Sequence, residues 1–202
     1  MKEGTVGLNI DDSVLRDRIR LLLKTRGIKT VDAIEACEET LIHLIVTDRK
    51  DVDCEEVHVL PVGKEVDEEE LLESIDILGR TPKRCGEIVI GVDPGLTIGV
   101  AALCRNSVID VNVSNDVDQL VDWMRKIIEI VKPPSTRIRI GKGEKWKETL
   151  DAVKRSGISE TCIQLVDERN TTKTPLPEKW RRYGRDVRAA IKIALKVLQP
   201  TA

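Results

Sequence analysis

The sequence predicts an α/β protein, and two features of its pattern lead to this prediction. Short apolar segments rich in Val and Ile have the length of strands, and they alternate with longer segments whose apolar residues recur at helical spacing. A stretch rich in Gly, Pro and basic residues, 79–86, interrupts the alternation once. Alternating strands and helices fold into layered sheets with flanking helices. We therefore expect two α/β domains, one on each side of this stretch.

The distribution of charge supports the same division. Residues 1–85 hold 13 Lys and Arg against 20 Asp and Glu, a net charge of −7, and residues 86–202 hold 20 against 15, a net charge of +5. We predict an acidic domain over 1–79, a linker over 80–86 and a basic domain over 87–202. A basic domain is suited to a polyanionic partner, although a solvated surface would give the same balance.

Composition excludes several classes of protein. The 41% apolar content is enough for a core, and the 34% charged content without any Phe is typical of a heat-adapted protein. The sequence shows no signal peptide and no apolar run near the roughly 18 residues of a membrane span, so we expect a cytoplasmic protein. The five cysteines have no Cys-x-x-Cys spacing, which argues against a zinc site or a disulfide scaffold. They are Cys37, Cys54, Cys85, Cys104 and Cys162.

The first domain is predicted to contain four strands and three helices. Asp12 and Ser13 cap the first helix, whose apolar face we assign to Val14, Ile19, Leu22 and Leu23. The expected strands are 5–10, 29–32, 41–47 and 56–62, and the expected helices are 13–26, 34–40 and 67–78.

Acidic residues follow two of these strands. Asp11 and Asp12 follow the first, and Asp48 follows Leu44-Ile-Val-Thr47. With the later segment Pro61–Leu72, this domain resembles a shortened receiver (flavodoxin-like) domain. The resemblance implies that the paired acids bind Mg²⁺ and that Asp48 accepts a phosphoryl group. Acids that cap helices and strand ends would give the same pattern.

The second domain is predicted to begin with three consecutive strands, followed by alternating helices and strands. The expected strands are 87–92, 99–104, 107–113, 137–141 and 161–166, and the expected helices are 115–131, 146–156 and 185–198.

The run from Ile88 to Leu103 contains a single charged residue, Asp93, between two apolar strands. A buried carboxylate without compensation is costly, and a hard divalent cation with oxygen ligands would compensate it. Gly95 and Gly99 leave the surrounding backbone accessible. The alternative interpretation is a plain β-hairpin with an Asp-Pro-Gly turn.

This run, with the strand order above, resembles the first strand and turn of RNase H-like nucleases of the RuvC and YqgF type. The resemblance implies an RNase H-like mixed sheet with flanking helices, in which Asp93 binds the catalytic metal, Mg²⁺ or Mn²⁺. Sugar-kinase and actin-like ATPases share a similar turn, but this domain is too short for their paired lobes.

A second motif, Asp167-Glu168-Arg169, ends the fifth strand of this domain. It resembles the corresponding segment of YqgF proteins, which implies that Asp167 or Glu168 is a metal ligand or acid–base group. Arg169 would then bind phosphate, as would the hydroxyls of Thr171 and Thr172. A surface ion pair is the alternative interpretation.

A third motif, Gly184–Leu195, begins the last helix with Asp186. In RuvC and YqgF proteins the last helix also begins with an Asp followed by small residues, which implies that Asp186 completes the metal site with Asp93. An acid that stabilises the helix N-terminus would have the same sequence. The chain departs from RuvC on the fourth strand, Arg137–Gly143, which has no acid before Glu144.

Two basic segments contain aromatic residues suited to nucleic acid. In the first, a base would stack on Trp180 while cations bind the backbone, although Trp180 could instead anchor the loop to its own domain. A second, weaker segment contains Lys142, Lys145, Trp146 and Lys147. The cations of the first segment are Lys173, Lys179, Arg181, Arg182 and Arg185.

The sequence therefore predicts a metal-dependent endonuclease with Asp93, Asp167, Glu168 and Asp186 as its acidic residues. Structured RNA is favoured over branched DNA because the fourth-strand acid is missing, and a homodimer would suit two-fold symmetric DNA junctions. The alternatives are a non-catalytic nucleic-acid or protein-binding module on the same fold and a signalling protein that uses Asp48.

Overall fold

The computed structural model describes residues 5–32, 42–52, 54, 57–83, 85–167 and 176–196. Contacts divide the chain into two compact units, Met1–Arg84 and Cys85–Ala202. Each unit consists of one sheet with flanking helices, so the predicted α/β class is confirmed. Within these described ranges, no helix combines the length and the apolar character needed to cross a membrane.

The first unit contains a four-stranded parallel sheet in the order β2-β1-β3-β4. The predicted helix 34–40 lies outside the described residues, and the resemblance to a receiver domain stays a prediction. The elements are β1 (Thr5–Asn9), α1 (Ser13–Thr25), β2 (Lys29–Asp32), β3 (Ile42–Thr47), β4 (His58–Pro61) and α2 (Glu68–Arg80).

Helix α1 begins where the sequence predicts. The Asp12 side chain accepts hydrogen bonds from the backbone N–H groups of Val14 and Leu15, which satisfies two donors that have no partner within the helix. The buried residues of α1 are Leu15, Ile19 and Leu23, at intervals of four. The assignment of Val14 to the apolar face is wrong, because its side chain is 78% exposed.

The second unit contains a five-stranded mixed sheet in the order β7-β6-β5-β8-β9. The pairs β5–β6 and β6–β7 are antiparallel, and β5–β8 and β8–β9 are parallel. Three strands joined by hairpins, followed by two parallel strands on the other side of the first, are consistent with the RNase H-like fold that the sequence predicts. The elements are β5 (Glu87–Pro94), β6 (Ile98–Cys104), β7 (Ser107–Ser114), α3 (Val117–Val131), β8 (Ser135–Gly141), α4 (Trp146–Arg155), β9 (Ile163–Val166) and α5 (Arg185–Leu195).

The core of the second unit lies around β6, which is buried along its whole length. Helix α5 packs against β5 and β6, whereas α3 packs against β6 and β7 and α4 against β8. One buried cluster joins the sheet to α5 and consists of Ala101, Leu103, Trp180, Val187, Ala190, Ile191 and Ala194. The helix next to the candidate acids is thus anchored by apolar packing.

Cys85 and Cys104 form a disulfide, so the expectation of a chain without disulfides is wrong. The two residues are 19 positions apart in the sequence, but β5 and β6 pair so that Ile88 lies opposite Cys104. This register sets the two Cα atoms 6.0 Å apart, a separation that a disulfide can span. Cys54 is also disulfide-bonded, and Cys162 is a free thiol.

Candidate functional site

Asp93 lies near the end of β5, in the hairpin that joins β5 to β6. The register places Asp93 opposite Gly99 and Pro94 opposite Ile98. The segment is therefore a β-hairpin, as the simpler interpretation predicts, and this hairpin holds a half-buried carboxylate at the end of a buried strand. Because side chains alternate along a strand, Asp93 belongs to the same face of the sheet as Gly91.

Helix α5 packs on that face against two glycines. A Cβ atom on Gly91 would lie 2.1 Å from the carbonyl oxygen of Ala190, and a Cβ on Gly99 would lie 2.4 Å from the carbonyl carbon and oxygen of Asp186. Separations this short leave no room for a side chain, so the packing of α5 requires glycine at both positions. Since Gly99 is the strand partner of Asp93, the first turn of α5 lies over the strand next to Asp93.

Asp186 reaches this place in the first turn of α5, and its side chain is 24% exposed. The Nε atom of Arg185 donates a hydrogen bond to its Oδ1 at 3.1 Å. The Arg185 side chain is 90% exposed, so this ion pair contributes little to stability. The helix dipole favours an acid at this position in any protein. What distinguishes Asp186 is its backbone contact with Gly99.

The loop that follows β8 closes one side of the site. The backbone N–H of Lys142 donates to the Val166 carbonyl at 3.0 Å, and that of Lys145 donates to the Pro94 carbonyl at 2.8 Å. These bonds attach the loop to the ends of β9 and β5. Glu144, the acid nearest to the fourth strand in sequence, is exposed. The strand itself supplies no carboxylate to the site.

Asp167 directly follows β9 and is exposed. The Lys196 side chain donates a hydrogen bond to its backbone carbonyl. The parallel register pairs Gly141 with Val166, and alternation from Val166 would assign Asp167 to the face opposite that of Asp93. The structure therefore sets the backbone of Asp186 against Gly99, the strand partner of Asp93, whereas alternation assigns Asp167 to the other face. Glu168, Arg169, Thr171, Thr172 and Lys173 lie outside the described residues.

The donor set at this place fits a hard divalent cation in part. Among the residues that the structure describes, no group of three or more His, Cys, Asp or Glu side chains is arranged to hold a metal ion. Mg²⁺ is often bound through only one or two carboxylates, with water and substrate phosphate as the remaining ligands. Asp93 and Asp186 are the candidates for such a pair, and the absence of a side chain on Gly99 lets the backbone of Asp186 approach β6.

Trp180 is not a stacking platform, which corrects the prediction for the first basic segment. Its side chain is only 5% exposed and belongs to the buried cluster under α5. The Nζ atom of Lys179 lies 5.0 Å from the centre of the ring. The small residues of α5 leave space in which the Trp180 ring packs as part of the core. Trp180 therefore anchors the loop to its own domain, as the alternative interpretation predicts.

The cations around Trp180 remain at the surface. Lys179, Arg181, Arg182 and Arg185 are all exposed. Arg182 donates to the Tyr183 hydroxyl at 3.0 Å and lies 5.0 Å from the ring centre of Tyr183. These four cations can attract a polyanion towards the first turn of α5, although no aromatic ring is free for stacking among them.

The second basic segment, expected to be the weaker candidate, is tied to the hairpin of Asp93. Lys145 donates to Pro94 as described, and Trp146, which begins α4, is half-buried. The Nζ atom of Lys147 lies 5.7 Å from the centre of the Trp146 ring. Lys142 is exposed in the same loop. This segment offers both cations and part of an aromatic ring beside the candidate acids.

Sequence reasoning missed a buried cation beneath α5. Arg139, on β8, is 8% exposed and donates to the carbonyl of Ala194 at 2.5 Å and to Oε1 of Gln164 at 3.1 Å. Burial, and next the charge of Arg137, lower the pKa of Arg139, while Glu87 opposes them. Arg139 therefore links the last turn of α5 to β8 and β9. Arg137 and Arg139 lie two positions apart on the same face of β8, so no local pattern distinguishes the one that α5 covers.

The acids of the first unit form a separate structural arrangement. Both carboxylate oxygens of Asp48 accept backbone hydrogen bonds, from Asp11 N–H at 2.9 Å and from Asp12 N–H at 3.1 Å. Burial alone would raise the pKa of Asp48, but these N–H groups and Arg49 together lower it. Asp48 thus fastens the end of β3 to the loop between β1 and α1. This is the structural role that the simpler interpretation predicts.

No family model matches the chain, and no curated protein matches it either. Among solved structures, the chain is similar to the T. thermophilus RuvC in complex with a Holliday junction substrate. The similarity has a TM-score of 0.39 and 13% sequence identity, and it covers 54% of this chain and 90% of that one. A likeness of this size carries no argument about activity, and the fold assignment rests on the strand order and registers described above.

Proposed function

We propose that the chain is a divalent-metal-dependent endonuclease that hydrolyses phosphodiester bonds in structured nucleic acid. The observation that supports this is the contact of Asp186 with Gly99, the strand partner of Asp93. This contact brings the first turn of α5 to the strand partner of Asp93, and a divalent cation held by the two carboxylates would neutralise their charges. When bound, the ion supplies Lewis-acid polarisation of the phosphate and a nucleophile at neutral pH.

Asp93 and Asp186 would hold the ion, and Glu168 is the better candidate for a third carboxylate. Alternation along β9 argues against Asp167, because Gln164 and Val166 occupy the positions on the face of Asp93. Arg139 donates to Gln164 on that face, which confirms the alternation independently. Asp167 would then have no direct contact with the ion and would only precede Glu168 in the chain.

Exposed cations on two sides of the acids would bind the nucleic-acid backbone. Lys142 lies in the loop attached to β5 and β9, and Lys179, Arg181, Arg182 and Arg185 precede or begin α5. Cations bind phosphates without reading sequence, so they fix the position of the substrate relative to Asp93. Arg169, Thr171, Thr172 and Lys173 are proposed as further phosphate contacts on the sequence resemblance alone.

We favour structured RNA over a four-way DNA junction as the substrate. The support is the fourth strand, β8, which presents Arg139 to the buried face and contains no acid. The sequence departs from RuvC nucleases at this strand and is similar there to YqgF proteins, for which RNA processing is implied.

The test compares the wild type with Asp93→Asn on labelled structured RNA and on a four-way DNA junction, in Mg²⁺ or Mn²⁺. The matched control is Asp122→Asn, which removes an exposed carboxylate on α3. We expect cleavage of RNA by the wild type and the control, and none by Asp93→Asn, which should still bind. Equal cleavage by Asp93→Asn would overturn the proposal.

The second candidate function is a binding module without catalysis. It is favoured by the arginine on β8 and by the finding that the described residues hold no group of three metal-binding side chains. This candidate predicts no cleavage, and binding that needs no metal and survives Asp93→Asn. A nuclease predicts instead that chelation of metal abolishes cleavage while the cations retain binding.

A further inference from the structure

We propose that Leu96 is a specificity-determining residue, which contacts the base of an unpaired nucleotide next to the phosphate that is cleaved. The inference rests on the proposed nuclease function and adds to it a property of the substrate, namely that the nucleotide beside the cut has left its base stack. It follows from the exposure of Leu96 and of other apolar side chains at the same end of the sheet as Asp93.

Leu96 lies at the tip of the β5–β6 hairpin, three positions after Asp93. Its side chain is 72% exposed, whereas Pro94 and Ile98 on either side are buried. A single exposed leucine is ordinary on a protein surface. This leucine is informative because it lies only three positions from the acid, at the end of the sheet to which the loop of Lys145 is also attached.

Two further apolar side chains are partly exposed near the same end of the sheet. Val113, on β7, is 46% exposed and pairs with Gly99, so Asp93, Gly99 and Val113 form a row across three strands on one face. On the other side, Trp146 directly follows Lys145, whose N–H is bonded to Pro94. We call Leu96, Val113 and Trp146 the apolar rim. Val113 lies two strands from Asp93 on the β7 side, and Trp146 follows the residue bonded to Pro94.

The apolar rim has no use in binding a phosphate, because phosphates are bound by cations and hydrogen-bond donors. A paired and stacked nucleotide offers an approaching protein mainly its phosphate, sugar and polar groove edges. The apolar face of a base becomes accessible only when the base is unstacked, and leucine side chains are among those that insert between base steps. The rim is therefore suited to a nucleotide that is unstacked at the cut.

Lysine side chains near the apolar rim can bind the phosphates of such a nucleotide. Lys142 and Lys147 are exposed beside Trp146, and Lys145 lies between them in the sequence. A ligand that matches this surface has negative charges at regular spacing and an exposed apolar face between them. Single-stranded or bulged nucleic acid has both properties. Unstacking costs least for a base that is already unpaired, which gives the enzyme a preference.

The test uses two RNA hairpins of the same sequence composition, one with an internal bulge and one fully paired, and the variant Leu96→Ser. The wild type should cleave the bulged hairpin faster than the paired one. Leu96→Ser should lower the rate on the bulged hairpin about tenfold or more, the loss expected when one apolar side chain no longer covers the base, and should leave the rate on the paired hairpin unchanged. The matched control is Leu21→Ser, which removes a leucine that is 64% exposed on α1.

A second measurement does not require cleavage. A fluorescent base analogue, 2-aminopurine, placed in the bulge should brighten when Asp93→Asn binds, because unstacking raises its emission, and should stay dim with Asp93→Asn/Leu96→Ser. If the wild type cleaves neither hairpin, the nuclease proposal fails and this inference with it. If the wild type cleaves but Leu96→Ser keeps the full preference for the bulge, the nuclease stands and the role of Leu96 is wrong.

Discussion

The backbone of Asp186 rests against Gly99, the residue that faces Asp93 across the β5–β6 hairpin. The packing of α5 therefore fixes where the backbone of Asp186 lies relative to the strand next to Asp93. The same helix is held at its other end by Arg139, which donates to the Ala194 carbonyl. Its position over the sheet is fixed at both ends, one by the lack of a side chain and the other by a hydrogen bond.

Replacing Gly99 with alanine should destabilise the protein and displace the first turn of α5. The new methyl group would lie 2.4 Å from the backbone of Asp186, and backbone cannot rotate away as a side chain can. We expect a loss of about 1–3 kcal/mol in the free energy of unfolding, measured by urea denaturation. The proposed nuclease activity should fall by more than the loss of folded protein accounts for, because Asp186 would be displaced.

The matched control for this variant is Gly86→Ala. A Cβ at Gly86 has no atom within 4 Å, so its free energy of unfolding should change little. Equal effects at the two positions would mean that the contact of α5 with β6 is looser than described.

The disulfide between Cys85 and Cys104 should stabilise the second unit. Its sequence separation of 19 corresponds to about 3 kcal/mol from restriction of the unfolded chain. Cys85→Ser should therefore lower the melting temperature under non-reducing conditions, and a reducing agent should lower that of the wild type by a similar amount. Thiol titration of the unfolded protein without reductant should detect Cys162 but neither Cys85 nor Cys104.

Cys162→Ser serves as the control, because Cys162 is a free thiol. Its melting temperature should match that of the wild type, with and without reductant. A wild type that is insensitive to reductant would contradict the predicted contribution of the disulfide.

Stability should fall as the pH is lowered from about 7.5 to 5.5, because of His58. Burial lowers the pKa of His58 below the 6.5 of a free histidine, and the charge of Lys83 lowers it further. The hydrogen bond to the Thr81 carbonyl acts in the opposite direction and raises the pKa of His58. The unfolded chain then binds a proton more readily than the folded chain, so stability is complete above the unfolded pKa and is lost below it. Urea denaturation across this range measures the effect.

His58→Gln should flatten this pH dependence, since glutamine does not titrate and can still donate to the Thr81 carbonyl. His43→Gln is the control, because it removes the other histidine, which is exposed. Parallel pH profiles of His58→Gln and the wild type would assign the loss of stability to other groups.

Asp48 should not accept a phosphoryl group from a small phosphodonor such as acetyl phosphate. Both of its oxygens already accept hydrogen bonds from backbone N–H groups. Phosphorylation of one oxygen would break one of these bonds and remove the carboxylate charge that strengthens them. Intact-protein mass spectrometry should show no added phosphoryl group. A phosphorylated wild type together with an unmodified Asp48→Asn would revive the signalling hypothesis for the first unit.

The order of strands and helices could be predicted from the sequence because it depends on local patterns. Apolar runs of strand length, Asp12 as a helix cap and the apolar face of α5 are each contained in fewer than twenty residues. The positions of Asp93 and Asp186 in the fold could be predicted for the same reason, since each lies at the end of a well-defined element, and their metal-binding role stays a proposal. The contact of Asp186 with Gly99, the strand partner of Asp93, depends on tertiary packing and could not be predicted from local patterns.

The errors concern properties that depend on distant residues. Trp180 lies in a basic, exposed loop by sequence, and it is buried because α5 and β6 provide an apolar surface for it. Cys85 and Cys104 are unremarkable in spacing until the pairing of β5 with β6 brings them together. Val14 has helical spacing but lies one position from the buried face, where Leu15 packs instead. Burial and pairing are tertiary properties, which local sequence patterns do not specify.

The contact between Gly99 and Asp186 also has a consequence for synthesis of the chain. During translation, Asp93 leaves the ribosome long before α5 is made, and domains fold as their residues become available. Until α5 has been synthesised, the backbone at Gly91 and Gly99 is not covered by a helix. A nascent chain without α5 therefore cannot yet make the contact between Asp186 and Gly99. The last helix must leave the ribosome before this face of the sheet is covered.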